Sequence, residues 1–170
     1  MKLKTYQKMR RFLTFGSLIL FILLVACINN QSKPVREHMR DSVSQKGDKI
    51  ASTHFTGTAW LQMLVNNDST YNTSIGVVTF EPKARTNWHK HPGGQILLVT
   101  DGKGYYQEKG KSVQFLHKGD VVKIPPNTEH WHGAAPDKEF IHIAVSPRTE
   151  KGSVVWLQPV TDEEYNRIIQ

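Results

Sequence analysis

Two H-x-H units stand out in this 170-residue chain: His89-Lys90-His91 within "NWHKHPGGQI" and His130-Trp131-His132 within "PPNTEHWHG". Residues i and i+2 of a strand share a face, about 7 Å apart along it, so each unit can turn two imidazoles toward one cavity. Gln95 follows His91 across the turn Pro92-Gly93-Gly94 and can return to the same point. Antiparallel pairing in a curled sheet can bring His130 opposite His89 and His91. His142 lies in the apolar stretch "FIHIAVS". Five of the eight histidines thus fall in two H-x-H units and one apolar strand, which scattered surface histidines would not do. The pattern reads as a site for one divalent metal ion. Imidazole and amide ligands accept manganese, iron, nickel, cobalt or zinc, and affinity alone does not choose among them. The remaining histidines, His38, His54 and His117, read as solvated or rim residues.

Short β-rich runs must carry these side chains. "TGTAWLQMLV", "SIGVVTFE", "QILLVT", "GYYQEK", "SVQFL", "DVVKIP", "FIHIAVS" and "VVWLQPV" read as strands, separated by turn chemistry such as "NND", "PGG", "DGKG", "HKGD" and "PPNTEH". Many short strands without intervening helical periods predict an all-β barrel or sandwich over residues 53–170. Thr161 stands three residues before Glu164, the spacing of a capping box, and predicts one short helix near the end.

The chain begins differently. Lys2, Lys4, Lys8, Arg10 and Arg11 precede an apolar run from Phe12 to Ala26, and residues 1–26 contain no acid. Without those five cations the formal charge falls from +7 to +2, so the basic pI of about 9.5 belongs to the leader and gives no reason to expect nucleic acid. The run is shorter than the roughly 20 residues of a spanning helix, which makes residues 1–26 a secretory signal segment. It ends in "LLVAC", which resembles the lipobox of bacterial lipoproteins and implies lipid anchoring at Cys27, the sole cysteine. Residues 27–52 are polar and read as a flexible tether. The expected location is the bacterial cell envelope, on a membrane surface. No phosphate loop, nucleic-acid motif or serine or cysteine nucleophile arrangement is visible.

The order H-x-H-x₃-Q-x₆-G, met by His89, His91, Gln95 and Gly102, resembles the first cupin motif, and Gly119, Pro125, Asn127 and His130 resemble the second. Gln95 stands where most cupins carry Glu, and Asn127 where they carry Gly. "VTFEPKARTNWHKHPGGQILLVTDGKGYYQ" and "GDVVKIPPNTEHWHGAAPDKEFIHIAV" are similar to the bacterial manganese-dependent cupin hydroxynitrile lyases, and the likeness runs from about Phe55 to Tyr165. The resemblance implies a jelly-roll barrel and a homodimer. It also implies manganese held by His89, His91, Gln95 and His130, with His132 and His142 in the active site.

Such a ligand set leaves the ion its full charge, since three imidazoles and an amide are neutral, whereas a glutamate would cancel half of it. A stronger Lewis acid and no ligating carboxylate to act as base both favour stabilising an anion. The expected reaction is cleavage of a small 2-hydroxynitrile to aldehyde and cyanide, or of a chemically similar small hydroxy or keto compound, with His142, or failing it His132, taking the hydroxyl proton. A cupin dioxygenase and a non-catalytic ligand-binding cupin remain as alternatives. Trp88, Phe115, Trp131 and Phe140 are candidate walls for a substrate, with core packing as their competing role.

Overall fold

The computed structural model describes residues 46–168 except 68 and 153. The signal segment, Cys27 and the tether up to residue 45 lie outside the described residues. Twelve strands follow in order: β1 (Asp48–Lys49), β2 (Phe55–Thr56), β3 (Ala59–Val65), β4 (Thr73–Phe80), β5 (Arg85–Thr86), β6 (His89–Lys90), β7 (Gln95–Glu108), β8 (Gln114–His117), β9 (Val121–Ile124), β10 (His130–Ala134), β11 (Phe140–Pro147) and β12 (Val155–Trp156). One helix, α1 (Asp162–Asn166), follows them. All pairings are antiparallel, and the main path runs β1-β3-β4-β11-β7-β10-β5-β2 as a curled, half-barrel sheet. Thus the fold is the all-β one expected.

Alternation builds the interior. On β4 and β11, Val78, Phe80, Phe140 and His142 point inward and meet Leu97 and Val99 of β7, Val122 and Ile124 of β9, and Tyr106. A second cluster, of Trp88, Tyr105, Trp131, Val160 and Tyr165, lies under α1. Arg85 pins this end. It is 3% exposed, donates to the Val160 carbonyl and to Asp162, and lies over the Tyr165 ring. The expected capping box is present: the Thr161 hydroxyl accepts from the Glu164 backbone N–H, and Glu164 returns the bond to the Thr161 N–H.

Two local expectations change. Residues 46–52, read from sequence as tether, already belong to the folded body: β1 pairs with Trp60 and Leu61 of β3, and Ile50 packs on the core. Too short a run to show periodicity, it is ordered by its partners. "DGKG" was expected to break two strands but instead lies inside β7. That strand bends there, pairing through its first half with β9 and β11 and through its second with β8 and β10. Register shifts by one residue between Ile141 and His142, and Gly102 takes φ 83°.

A side chain at position 102 would place Cβ 1.8 Å from the Glu139 carbonyl oxygen, in a backbone region that L residues avoid. Gly102→Ala is therefore expected to destabilise the domain by roughly 3 kcal/mol or more. Gly119, φ 97°, has open space around its Cβ position. There the same change should cost only about 1–2 kcal/mol. Urea unfolding of both variants checks the difference, and equal midpoints would contradict the steric account.

Candidate metal centre and its cavity

The two H-x-H units meet as the spacing requires. His130 of β10 is the register partner of His89 of β6, and the two rings lie 4.2 Å apart, centroid to centroid. His91, just past β6, lies 5.3 Å from the His89 ring and 5.8 Å from the His130 ring. Gln95, the first residue of β7, brings its amide oxygen to 3.4 Å from His130 Nε2. Hydrogen bonds between backbone groups stitch the two motifs together. The His91 carbonyl accepts from Gly94 and from Asn127, whose φ of 60° is the left-handed turn that asparagine tolerates.

Hydrogen bonding fixes which nitrogens face inward. His89 Nδ1 donates to the Asn87 carbonyl at 2.9 Å and His130 Nδ1 to the Thr128 carbonyl at 2.8 Å. Their Nε2 atoms are then bare lone pairs. His130 Nε2 faces the Gln95 oxygen, acceptor against acceptor, and His91 Nε2 is buried with no partner at all. Unpaired buried acceptors cost free energy unless something positive joins them. The residues therefore fit a divalent cation. Judged by ligand atoms alone, the tightest histidine group is His89, His130 and His132, all within 4.8 Å of one another. Three histidines could thus hold a metal here, and His132 competes with His91 for the role on distance. His132 differs in having its Nδ1 engaged by His142 Nε2 at 3.3 Å, whereas His91 Nε2 is free.

All five imidazoles are held neutral. Burial pushes His89 and His132 well below the ordinary histidine value, with neighbouring histidines adding to it. His91 falls to about 4, through burial and then His130, while burial takes His130 to about 4 and His142 to about 3. Without a cation, none carries a second, charging proton near pH 7.

A cavity of about 160 Å³ opens on this cluster. His89, His91, Gln95 and His132 line it, facing Phe55, Leu61, Met63, Val78 and Trp156. His142 is fully buried and is not a wall: it sits behind His132, with Phe80 and Phe140 against its ring. Expected as the group that takes the proton, it does not line this cavity and contacts His132 at 3.3 Å. Thr86 grips the His132 backbone from both sides, donating to its carbonyl and accepting from its N–H.

Of the four candidate walls, Trp88, Trp131 and Phe140 are packing residues, the competing role named for them. Trp88 and Trp131 sit in the cluster under α1, Phe140 is in the main core, and Phe115 is 60% exposed. Phe55 and Trp156 take their place. Trp156 pairs in register with His89 and stacks on His54, 4.7 Å and 8° apart. Nothing in "VVWLQPV" marks it, because the contact is made by pairing across the chain. Arg148 was also missed. Its guanidinium donates twice to the Gly93 carbonyl and so clamps the turn between His91 and Gln95. His117 is exposed, as expected.

Residues 76–146 match the cupin domain model. The chain is 44% identical over 124 residues to an (R)-mandelonitrile lyase of Granulicella tundricola, covering 73% of this chain and 95% of that protein. A crystal structure of a cupin-like protein from Thermotoga maritima superposes with a TM-score of 0.72 at 54% identity, over 73% of this chain and 94% of that one. An acireductone dioxygenase of Alcanivorax borkumensis is 31% identical over 58 residues, 32% of each chain. This chain belongs to the cupin family.

Proposed function

We propose that the chain is a manganese-dependent lyase that cleaves a small 2-hydroxynitrile into an aldehyde and hydrogen cyanide. What carries the reading is the neutral histidine cluster at the floor of a small apolar cavity, in a chain 44% identical to a mandelonitrile lyase along 95% of that protein. A divalent ion held by His89, His91, Gln95 and His130 would keep its full charge and make a nearby substrate hydroxyl easier to deprotonate. Manganese is taken from the family resemblance.

His132 is the one cluster histidine outside that ligand set that lines the cavity, so it is the group assigned to take the hydroxyl proton. As the proton leaves, the carbonyl forms and the bond to the nitrile carbon breaks, its electron pair departing with cyanide. His132 then returns the proton to cyanide. Burial makes a charged His132 costly, and that cost is offset only while an anion lies beside it. His142 is a positioning residue here, fixing the His132 ring through the 3.3 Å contact. Phe55, Leu61 and Trp156 would exclude water and hold an apolar body. Lipidation at Cys27 would place this activity at an envelope membrane.

Benzaldehyde release from mandelonitrile tests the reading, with manganese-loaded, stripped and reloaded protein. Turnover is expected only with metal and without oxygen uptake. His132→Ala should lower kcat about 100-fold or more, and His142→Ala less. Oxygen consumption would favour a dioxygenase, the reading that the acireductone dioxygenase match supports. Full metal content with no turnover of any cyanohydrin would end the lyase reading.

A further inference from the structure

Along β4 and β11 four cross-strand rungs follow one another on the cavity face: Phe80–Phe140, Val78–His142, Gly76–Ala144 and Ser74–Ser146. Successive rungs are about 7 Å apart. Their chemistry is graded. The first is a sealed aromatic floor, the second carries the histidine behind His132, and the third has almost no side chain, with Leu61 and Met63 lying against Gly76. The fourth is a pair of hydroxyls.

Ser74 and Ser146 line the inner cavity and also a second, outer cavity of about 370 Å³. Leu61, Met63, His91 and Val154 are likewise shared, so the two spaces adjoin. Asn67, Gly93, Gly94, Pro147, Thr149 and Gly152 complete the outer wall, which among the described residues carries no Lys, Arg, Asp or Glu. The Thr149 hydroxyl donates to the Asn67 side-chain oxygen, which leaves the Asn67 amide hydrogens for other partners. Neither serine hydroxyl is engaged by another described residue. Facing serines lie only about 5 Å apart at Cβ, close enough for one ligand group to bridge both.

We infer that the natural substrate is an elongated, uncharged molecule whose reactive end meets the histidine cluster and whose far end carries a hydroxyl or amide bound by Ser74 and Ser146. The apolar middle lies along Leu61, Met63, Gly76 and Ala144, which line the inner cavity. An ionised far end would meet no counter-charge and is excluded. The inference rests on the lyase reading only for the chemistry of the reactive end.

A matched pair of compounds tests it: para-(hydroxymethyl)mandelonitrile and para-ethylmandelonitrile, alike in shape and differing by one hydroxyl. With manganese-loaded full-length chain, kcat/KM should favour the hydroxymethyl compound by about 3- to 10-fold, the range of one neutral hydrogen bond. In Ser74→Ala/Ser146→Ala that ratio should fall to about 1. Calorimetric binding of the unreactive alcohols para-(hydroxymethyl)benzyl alcohol and para-ethylbenzyl alcohol, with and without manganese, should give the same ratios. Equal values for the pair in the unaltered protein, or a preference that survives in the double variant, overturns the inference, as does binding of neither alcohol. If no cyanohydrin is cleaved yet the alcohols show the preference and the variant loses it, the lyase reading falls and the subsite stands.

Discussion

His130→Ala is expected to abolish tight metal binding, lowering manganese affinity more than about 100-fold, since loss even of an outer hydrogen-bond partner of a ligand commonly costs 10- to 100-fold. His130 is fully buried, and its ring centre lies within 6.0 Å of those of His89, His91 and His132. It is also the group that Gln95 faces. Calorimetric titration with manganese and elemental analysis after dialysis read the effect, with circular dichroism confirming the fold. His91→Ala, at a less buried position, gives a second reading of the same centre. One equivalent of metal retained by His130→Ala at unaltered affinity would remove this residue from the ligand set.

The metal-free protein should lose stability steeply on acidification from about pH 6.5 to about pH 4. An unfolded histidine takes up its proton near pH 6.5, whereas the folded chain keeps His91 and His130 neutral to about 4 and His142 to about 3, with His89 and His132 also held well down. Within that window the unfolded state binds more protons, so stability is full above it and falls with pH. Each histidine contributes about 1.4 kcal/mol per pH unit. Several acting together can consume a whole domain stability of about 5–15 kcal/mol within two or three units. Glu108 and Asp137, held down chiefly by Lys111 and Lys103, act in the same direction but titrate lower, and Asp137 is exposed. Manganese binds the folded state and should move the acid transition downward. Urea midpoints across pH, with chelator and with manganese, measure both effects. A metal-free protein equally stable at pH 7 and pH 4.5 would show that the cluster is not dry.

The sequence revealed the site better than its surroundings. Two H-x-H units and a returning Gln95 are local patterns, and strand geometry alone brings such side chains to one face. The capping box at Thr161 was legible for the same reason: both of its hydrogen bonds join residues three apart. What stayed hidden depends on pairing between distant segments. Trp156 becomes a wall because β12 lies on β6, and His142 of β11 meets His132 of β10 although β7 lies between those strands. The bend in β7 looks like a turn in sequence because glycines serve both, and only the Glu139 backbone pressed against Gly102 tells them apart.

The pairing of His130 with His89 and the approach of Gln95, 35 residues away in the chain, also set an order of events during folding. These partners cannot meet until β6, β7 and β10 have found one another, which closes long loops and is slow compared with local structure. Until then His89, His91 and Gln95, within seven residues of one another, offer an ion only part of the site. Metal uptake would come last, and a filled centre would certify a completed barrel.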